Sequence, residues 1–378
     1  MLLLIAAFTM LVSDWPEWRG PHRDGVVIEE PQSWPEKLSL KWKTEVGIGH
    51  ASPIMAAGSI YDFARQGDQE TVLSIDPANG KIRWKQQYPA PYKMNPAAVP
   101  HGEGPKSTPV YANGKLYTFG INGVLSAFDA ETGKPIWRLD FKGSPDFGTA
   151  MSPVVDKGLL IAHVPGGLTA FDAANGTVKW AWSGDSPAYA SPIVVGDQVI
   201  TQTHSNIVAV AAATGKLLWK IPFSTSYDQN IVTPVVYKDT LILSGLDKGV
   251  FAVRDGQTIW KNKDVSMYMS SPVLSGDLLF GFSHLKKGQF FCIDARTGAT
   301  LWTGPPRGGD NAAMLVGSTT LYALMADGQL MIAKPTAKGL NEIRRYEVAD
   351  SPTWAHPVVL SDGVLIKDLK TITRWGVN

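Results

Sequence analysis

Eight copies of one strand-rich unit, about forty residues apart, run through nearly the whole chain. The copies are clearest where a short stretch ends in tryptophan: IDPANGKIRW at 75–84, FDAETGKPIW at 128–137, FDAANGTVKW at 171–180 and IDARTGATLW at 293–302. In each, an Asp stands eight residues before the Trp and a Gly four before it. VAAATGKLLW, ending at Trp219, keeps the Gly and loses the Asp; the copy ending at Trp260 is one residue shorter and keeps Gly256. A second marker keeps step: Ser52-Pro53, Thr108-Pro109, Ser152-Pro153, Ser191-Pro192, Thr233-Pro234, Ser271-Pro272, Ala312-Ala313 and His356-Pro357. Self-similarity at this period restricts the chain to a stack or ring of identical units, each burying its face against the next.

Each unit reads as four short strands. In the third, 153–155, 159–163, 168–171 and 178–182 are apolar or alternating runs separated by Asp156-Lys157-Gly158, Pro165-Gly166-Gly167 and Asn175-Gly176. Such separators are hairpin turns, where the Gly tolerates positive φ and the Asp accepts backbone N–H bonds. A Trp on each last strand buries about 200 Å² and docks one sheet on its neighbour. Trp42, Trp84, Trp137, Trp180, Trp219, Trp260 and Trp302 are therefore structural docking residues. Tyr346 holds the equivalent place in the seventh unit, and the eighth runs out at Asn378 without a fourth strand. Residues 40–46, carrying Trp42, supply it. The expected fold is all-β: an eight-bladed β-propeller of four-stranded antiparallel blades, closed by an N-terminal strand so that no sheet edge is left open. An open solenoid is the alternative; it needs atypical capping repeats, which the sequence lacks.

The expected organisation is a signal peptide over 1–13, a flanking segment over 14–39 packed along the barrel flank, and the propeller over 40–378. The run Met1–Val12 is too short to span a bilayer and sits where a secretory apolar region would be, so a periplasmic or otherwise extracytoplasmic location follows, with no transmembrane span. Thirty-five basic and 34 acidic residues give a net charge of +1 without any basic run, so no nucleic-acid partner is expected, and a monomer is. Cys292 is the sole cysteine. Intrachain disulfides, Cys-x-x-Cys-His haem attachment and cysteine zinc sites are thereby excluded, and its apolar strand marks it as a buried, inert thiol.

The pattern A-x-D-x-x-T-G-K-x-x-W, matched best by Ala127–Trp137, resembles the tryptophan-docking motif of the pyrroloquinoline quinone (PQQ) type propeller repeat. That family includes eight-bladed quinoprotein alcohol dehydrogenases and the propeller subunit of the outer-membrane assembly machinery. The resemblance covers residues 40–375 and implies the fold. Trp15-Pro-Glu-Trp18-Arg19-Gly20-Pro21 and Arg23-Asp24-Gly25 resemble the mature N-terminus of exported bacterial proteins of this family.

Function is sought where the units differ, because repeated residues are scaffold. In propellers of this family the loops entering the innermost strands lie on the ligand face. Here they read GIGHASP, GPKSTP, FGTAMSP, PAYASP, YDQNIVTP, MYMSSP, GGDNAA and SPTWAHP. Converging on one axis, they place Lys106, Tyr189, Tyr227, Asp228, Asn230, Tyr268, Asn311, Trp354 and His356 around a polar and aromatic funnel, suited to a small ligand or an envelope protein. Ser52, Ser152, Ser191 and Ser271 repeat, and are expected to satisfy backbone groups at the tight centre. The step from Trp84 to Trp137 is 53 residues against 39 to 44 elsewhere. Its excess is a proline-rich arm at 88–106 carrying Tyr92, Lys93 and His101, read as an extended lid or partner-docking loop.

The resemblance also implies an alternative, a PQQ- and Ca²⁺-dependent dehydrogenase of alcohols or sugars. Arg65 or Lys106 would face the quinone carbonyls, and Asp228 with Asn230 or Asn311 would hold Ca²⁺. The adjacent Cys-Cys disulfide of those enzymes cannot form from one cysteine. His163, His204 and His284 fall in loops of different blades and read as surface histidines. The favoured expectation is a non-catalytic scaffold, with no cofactor required.

Overall fold

The computed structural model describes residues 14–378; the apolar run read as an export signal lies outside them. Eight sheets, each of four antiparallel strands, follow one another around a ring. Blade I consists of Ile54–Ala56, Ser59–Gln66, Gln69–Ile75 and Ile82–Pro89. Blades II to VII span 110–140, 154–182, 193–222, 235–262, 273–303 and 312–347. Blade VIII has three strands of its own, Val358–Leu360, Gly363–Lys367 and Thr371–Gly376. Its outermost strand is Ser39–Glu45, paired antiparallel with Thr371–Gly376. The ring is thus closed by the N-terminal strand, and its second and third strands are the buried core of every blade.

The tryptophans dock as their repetition requires, and through more than burial. The indole N–H of Trp84 donates to the Ala130 carbonyl of the next blade (3.1 Å), Trp137 to Ala173 (3.2 Å), Trp180 to Ala212 (2.9 Å) and Trp260 to Ala295 (3.1 Å). Trp42 does the same to Pro77 (2.9 Å), carrying blade VIII onto blade I. The repeated Gly lies beneath these rings: a Cβ at Gly133, Gly176, Gly215 or Gly298 would stand within 2.9 Å of the preceding blade's indole. The residue is therefore doubly constrained, by its positive φ and by the aromatic face pressed on its Cα. Tyr346 breaks the pattern and donates to the Pro35 carbonyl in the N-terminal segment.

The Ser/Thr markers face the axis and bridge blade to blade. The Ser52 N–H donates to Thr108 Oγ1 (3.1 Å), Thr108 N–H to Ser152 Oγ (2.9 Å), Ser152 N–H to Ser191 Oγ (2.9 Å), Thr233 N–H to Ser271 Oγ (3.1 Å) and His356 N–H to Ser52 Oγ (2.8 Å). The scaffold role expected of the repeated serines is what the geometry gives. Backbone N–H groups at the crowded centre have no strand partner on that side, and an unpaired buried donor is costly.

The N-terminal segment does not lie on the flank. Residues 15–27 occupy the axial channel and touch the innermost strands or marker loops of seven blades. Trp15 exchanges backbone bonds with Met55 (blade I), and Tyr111 N–H donates to Pro16 (blade II). Arg23 reaches the Ser152 and Pro153 carbonyls (blade III), Trp18 Nε1 reaches Thr233 Oγ1 (blade V) and Arg19 the Pro272 carbonyl (blade VI). Val27 N–H donates to Val316 (blade VII), and the Trp18 ring meets His356 (blade VIII) edge-on at 4.4 Å. The carbonyls of the exposed outermost strands are open to water, whereas the axis offers buried carbonyls that arginine can serve. That difference overrides the simpler expectation. The chain then crosses blade VII, where Glu30 accepts from Ser318 and Tyr322, and enters blade VIII as its outer strand.

Blades VIII and I also share a fully buried ion pair, Lys367 Nζ to Asp62 Oδ1 at 2.7 Å, with Lys367 also donating to the Phe63 carbonyl. Cys292 is buried in blade VI, and burial pushes its thiol up to about 12.

Candidate functional site

Side chains alternate along an extended strand, so the residue two positions before each marker faces the axis with it. In seven blades these residues are His50, Lys106, Ala150, Tyr189, Ile231, Met269 and Trp354. All seven line one cavity of about 570 Å³ at the axial mouth. Tyr227, Tyr268 and Phe147 add aromatic walls, Trp18 of the axial segment adds an apolar surface, and Ser191, Thr233 and Ser271 also line it.

Lys106, Tyr189, Tyr227, Tyr268 and Trp354 are brought together as the sequence implies. The Lys106 amine donates to the Phe147 carbonyl at 2.7 Å, and burial lowers it to about 8. Tyr189 Oη accepts from the Phe147 N–H (3.2 Å) and Tyr268 donates to Gln229. Tyr227 is 79% exposed and, with Asp228, holds a left-handed backbone (φ 59° and 54°), a conformation of some cost for non-glycine residues.

The remaining named residues stand behind or beside the cavity. Asn230 is fully buried, its amide N–H₂ donating to the carbonyls of Thr203, His204 and Phe223. Asn311 Oδ1 accepts from Ser270 (2.5 Å). Asp228 belongs to a neighbouring notch with Asp146 and His204, where it meets His204 Nε2 at 3.0 Å. His356 is buried beneath the mouth against Trp18, and burial with Arg19 nearby lowers it to about 3. Arg65 is buried, donates to the Ala90 carbonyl (2.8 Å) and approaches Glu103 at 3.9 Å, so it braces both ends of the arm. His204 and His284 are partly exposed, but His163 is buried with its Nε2 3.4 Å from the Asp185 carbonyl; a surface role does not hold for it.

The arm is not simply extended. Its centre is a 3₁₀ helix, Pro96–His101, capped by Asn95 Oδ1 on the Ala97 N–H. Proline pre-sets its first turn. Ala97, Ala98 and His101 form part of the funnel wall, with His101 edge-on to Trp354 at 4.6 Å. Tyr92 is half-buried against Gly148, and Lys93 points to solvent. Trp18, His50, Phe147 and Met269 are funnel residues that reading the loops one by one overlooks. The offset from the marker finds His50 and Met269, and nothing local finds Trp18.

A family model described as outer membrane protein assembly factor BamB matches residues 68–304, more than half of the chain. The chain belongs to the BamB family. Over 362 residues it is 26% identical to the outer membrane protein assembly factor BamB of Yersinia pestis, covering 89% of this chain and 88% of that one. Among solved structures, BamB from Moraxella catarrhalis superposes with a TM-score of 0.66 at 17% identity, over 90% of this chain and all of that one. A europium-containing methanol dehydrogenase superposes with a TM-score of 0.74 at 14% identity, over 95% of this chain and 90% of that one. At these identities the structural likenesses show the eight-bladed fold alone.

The PQQ and Ca²⁺ that the propeller-family resemblance implies do not fit this donor set. Of the residues implied for them only Lys106 lines the cavity: Arg65 is turned to the arm, Asn230 is fully buried behind the wall, Asn311 Oδ1 is taken by Ser270, and Asp228 faces His204 in the neighbouring notch. Among the described residues no three His, Cys, Asp or Glu side chains gather as a metal site. The BamB-type reading of the site needs none of these groups.

Proposed function

We propose that this BamB-family chain is an extracytoplasmic, non-catalytic scaffold that binds a protein of outer-membrane assembly across its funnel face. The observation that carries the reading is the funnel mouth: an aromatic rim with Tyr227 standing 79% exposed, over a cavity that no carboxylate lines. Aromatic side chains held at the mouth of a preformed pocket are what protein hot spots use. The relatives' name supplies the partner class. In this reading Lys106, Tyr189, Tyr227, Tyr268, Trp354 and His101 contact the partner. Tyr92 and Lys93 extend the contact along the arm, and Arg65, Asn230, Asn311 and His356 hold the wall. Location outside the cytoplasm rests on the apolar N-terminal run, and the protein acts as a monomer.

A photo-crosslinking amino acid placed at Tyr227 or Trp354, and as a control at Ile259 on the outer strand of blade V, tests this in the producing cell. Adducts with an outer-membrane assembly component from the two funnel positions, identified by mass spectrometry and absent at Ile259, are expected. Adducts at Ile259 alone, or none with such a component, refute the reading.

A further inference from the structure

The axial segment makes the funnel blind. Trp18 lies at its inner end, tied to Thr233 and packed on His356, and residues 15–27 fill the channel behind it. A polypeptide can enter the mouth but cannot pass through, so a bound protein presents an end, a turn or a protruding side chain. The charges at the wall discriminate between these. Lys106 is the one charged lining residue, no Asp or Glu faces the cavity, and only one of the amine's three protons is used, by the Phe147 carbonyl. Beside it, on the adjacent blade I, His50 is more than nine-tenths buried in the wall, with its backbone N–H on the Pro105 carbonyl (2.8 Å), and its Nε2 has no hydrogen-bond partner. Burial and the neighbouring His101 and Lys106 hold that imidazole neutral, down to about 3. A lone, partly desolvated ammonium within aromatic walls suits one carboxylate attached to an apolar group.

We infer that the funnel captures the C-terminal residue of its partner, the terminal carboxylate on Lys106 and an aromatic or large apolar terminal side chain between Tyr189, Phe147 and Trp18. Carboxylate capture at a chain end is an established mode of recognition, and a charge-assisted bond at a desolvated site is among the stronger ones. The inference rests on the protein-binding reading above and specifies it. The same chemistry is carried by free aromatic acids; the dead end, the cavity's size and the exposed rim favour a chain end, because a rim contacts the residues that follow.

The test uses the full chain and a fluorescent pentapeptide, Ala-Gly-Ala-Leu-Phe, as free acid and as C-terminal amide, with 3-phenylpropanoate as competitor, followed by anisotropy. The acid is expected to bind about tenfold or more tightly than the amide, as one charge-assisted contact implies. Lys106→Met is expected to bring that ratio to about one, and 3-phenylpropanoate to compete only at far higher concentration. Tyr227→Ala, at an exposed position that does not threaten folding, is expected to weaken acid and amide alike. Equal binding of acid and amide, an acid preference that survives Lys106→Met, no binding of either peptide, or phenylpropanoate as tight as the peptide would each overturn it. If funnel crosslinks to an assembly protein persist while the peptides show no acid preference, the scaffold reading stands and terminus capture falls.

Discussion

At the residue scale, the repeated glycine shows how one position can answer two demands. Gly215 has φ +70° and the Trp180 ring pressed on its Cα, where a Cβ would stand 2.5 Å away; Gly158 has φ +80° with nothing within 4 Å. Both substitutions to Ala carry the left-handed penalty of about 1 kcal/mol. Gly215→Ala adds overpacking of a docked aromatic, so its total is expected near 3 kcal/mol. Urea denaturation of the two variants separates the terms; equal losses would mean that the indole yields at no cost. The marker serines make a similar point, because a hydroxyl repeated around the axis is accounted for by the neighbouring blade's N–H.

At the scale of elements, closure depends on blade VIII being assembled from both ends of the chain. Its docking on blade I combines Trp42, paired with Pro77, and the buried Lys367–Asp62 pair. Lys367→Met leaves the Asp62 carboxylate buried without its counter-charge and is expected to lower stability by about 3–5 kcal/mol at neutral pH. Burial already pushes the Asp62 carboxyl up, and only Lys367 and the bond the carboxylate accepts from the Phe63 backbone N–H pull it down. In the variant the folded state therefore holds a proton that the unfolded state releases near its ordinary pKa. Stability lost at neutral pH is regained as pH falls through the raised folded value. Thermal melts of variant and wild type between pH 7 and 5 should converge; a gap that widens toward acid would refute the assignment. The arm is the other distinctive element: Arg65 anchors its ends while its 3₁₀ turn places His101 in the funnel wall.

At the scale of the whole molecule, residues 15–45 do two jobs, filling the axis and completing the last sheet. A closed ring whose axial segment touches seven blades should unfold in one step. Calorimetric and van't Hoff enthalpies of the full chain are expected to agree, and removing residues 14–45 should split the transition, since three-stranded blade VIII then carries an open edge. A single unchanged transition after truncation would show that the blades alone carry the cooperativity. Period, blade count, the borrowed strand and the tryptophan docking were legible in the sequence, because seven of the eight interfaces repeat one contact and repetition writes it seven times. The funnel rim was partly legible for the same reason: alternation aims the residue two before each marker at the axis, which reaches Lys106, Tyr189 and Trp354. Alternation also explains why Asn230, three before its marker, turns into the wall instead. What the axial segment does was decided only in three dimensions. Trp18, Arg19 and Arg23 occur once, without periodicity, and their blade partners are carbonyls, a hydroxyl and a ring at least 129 residues away, brought within reach only when the ring closes.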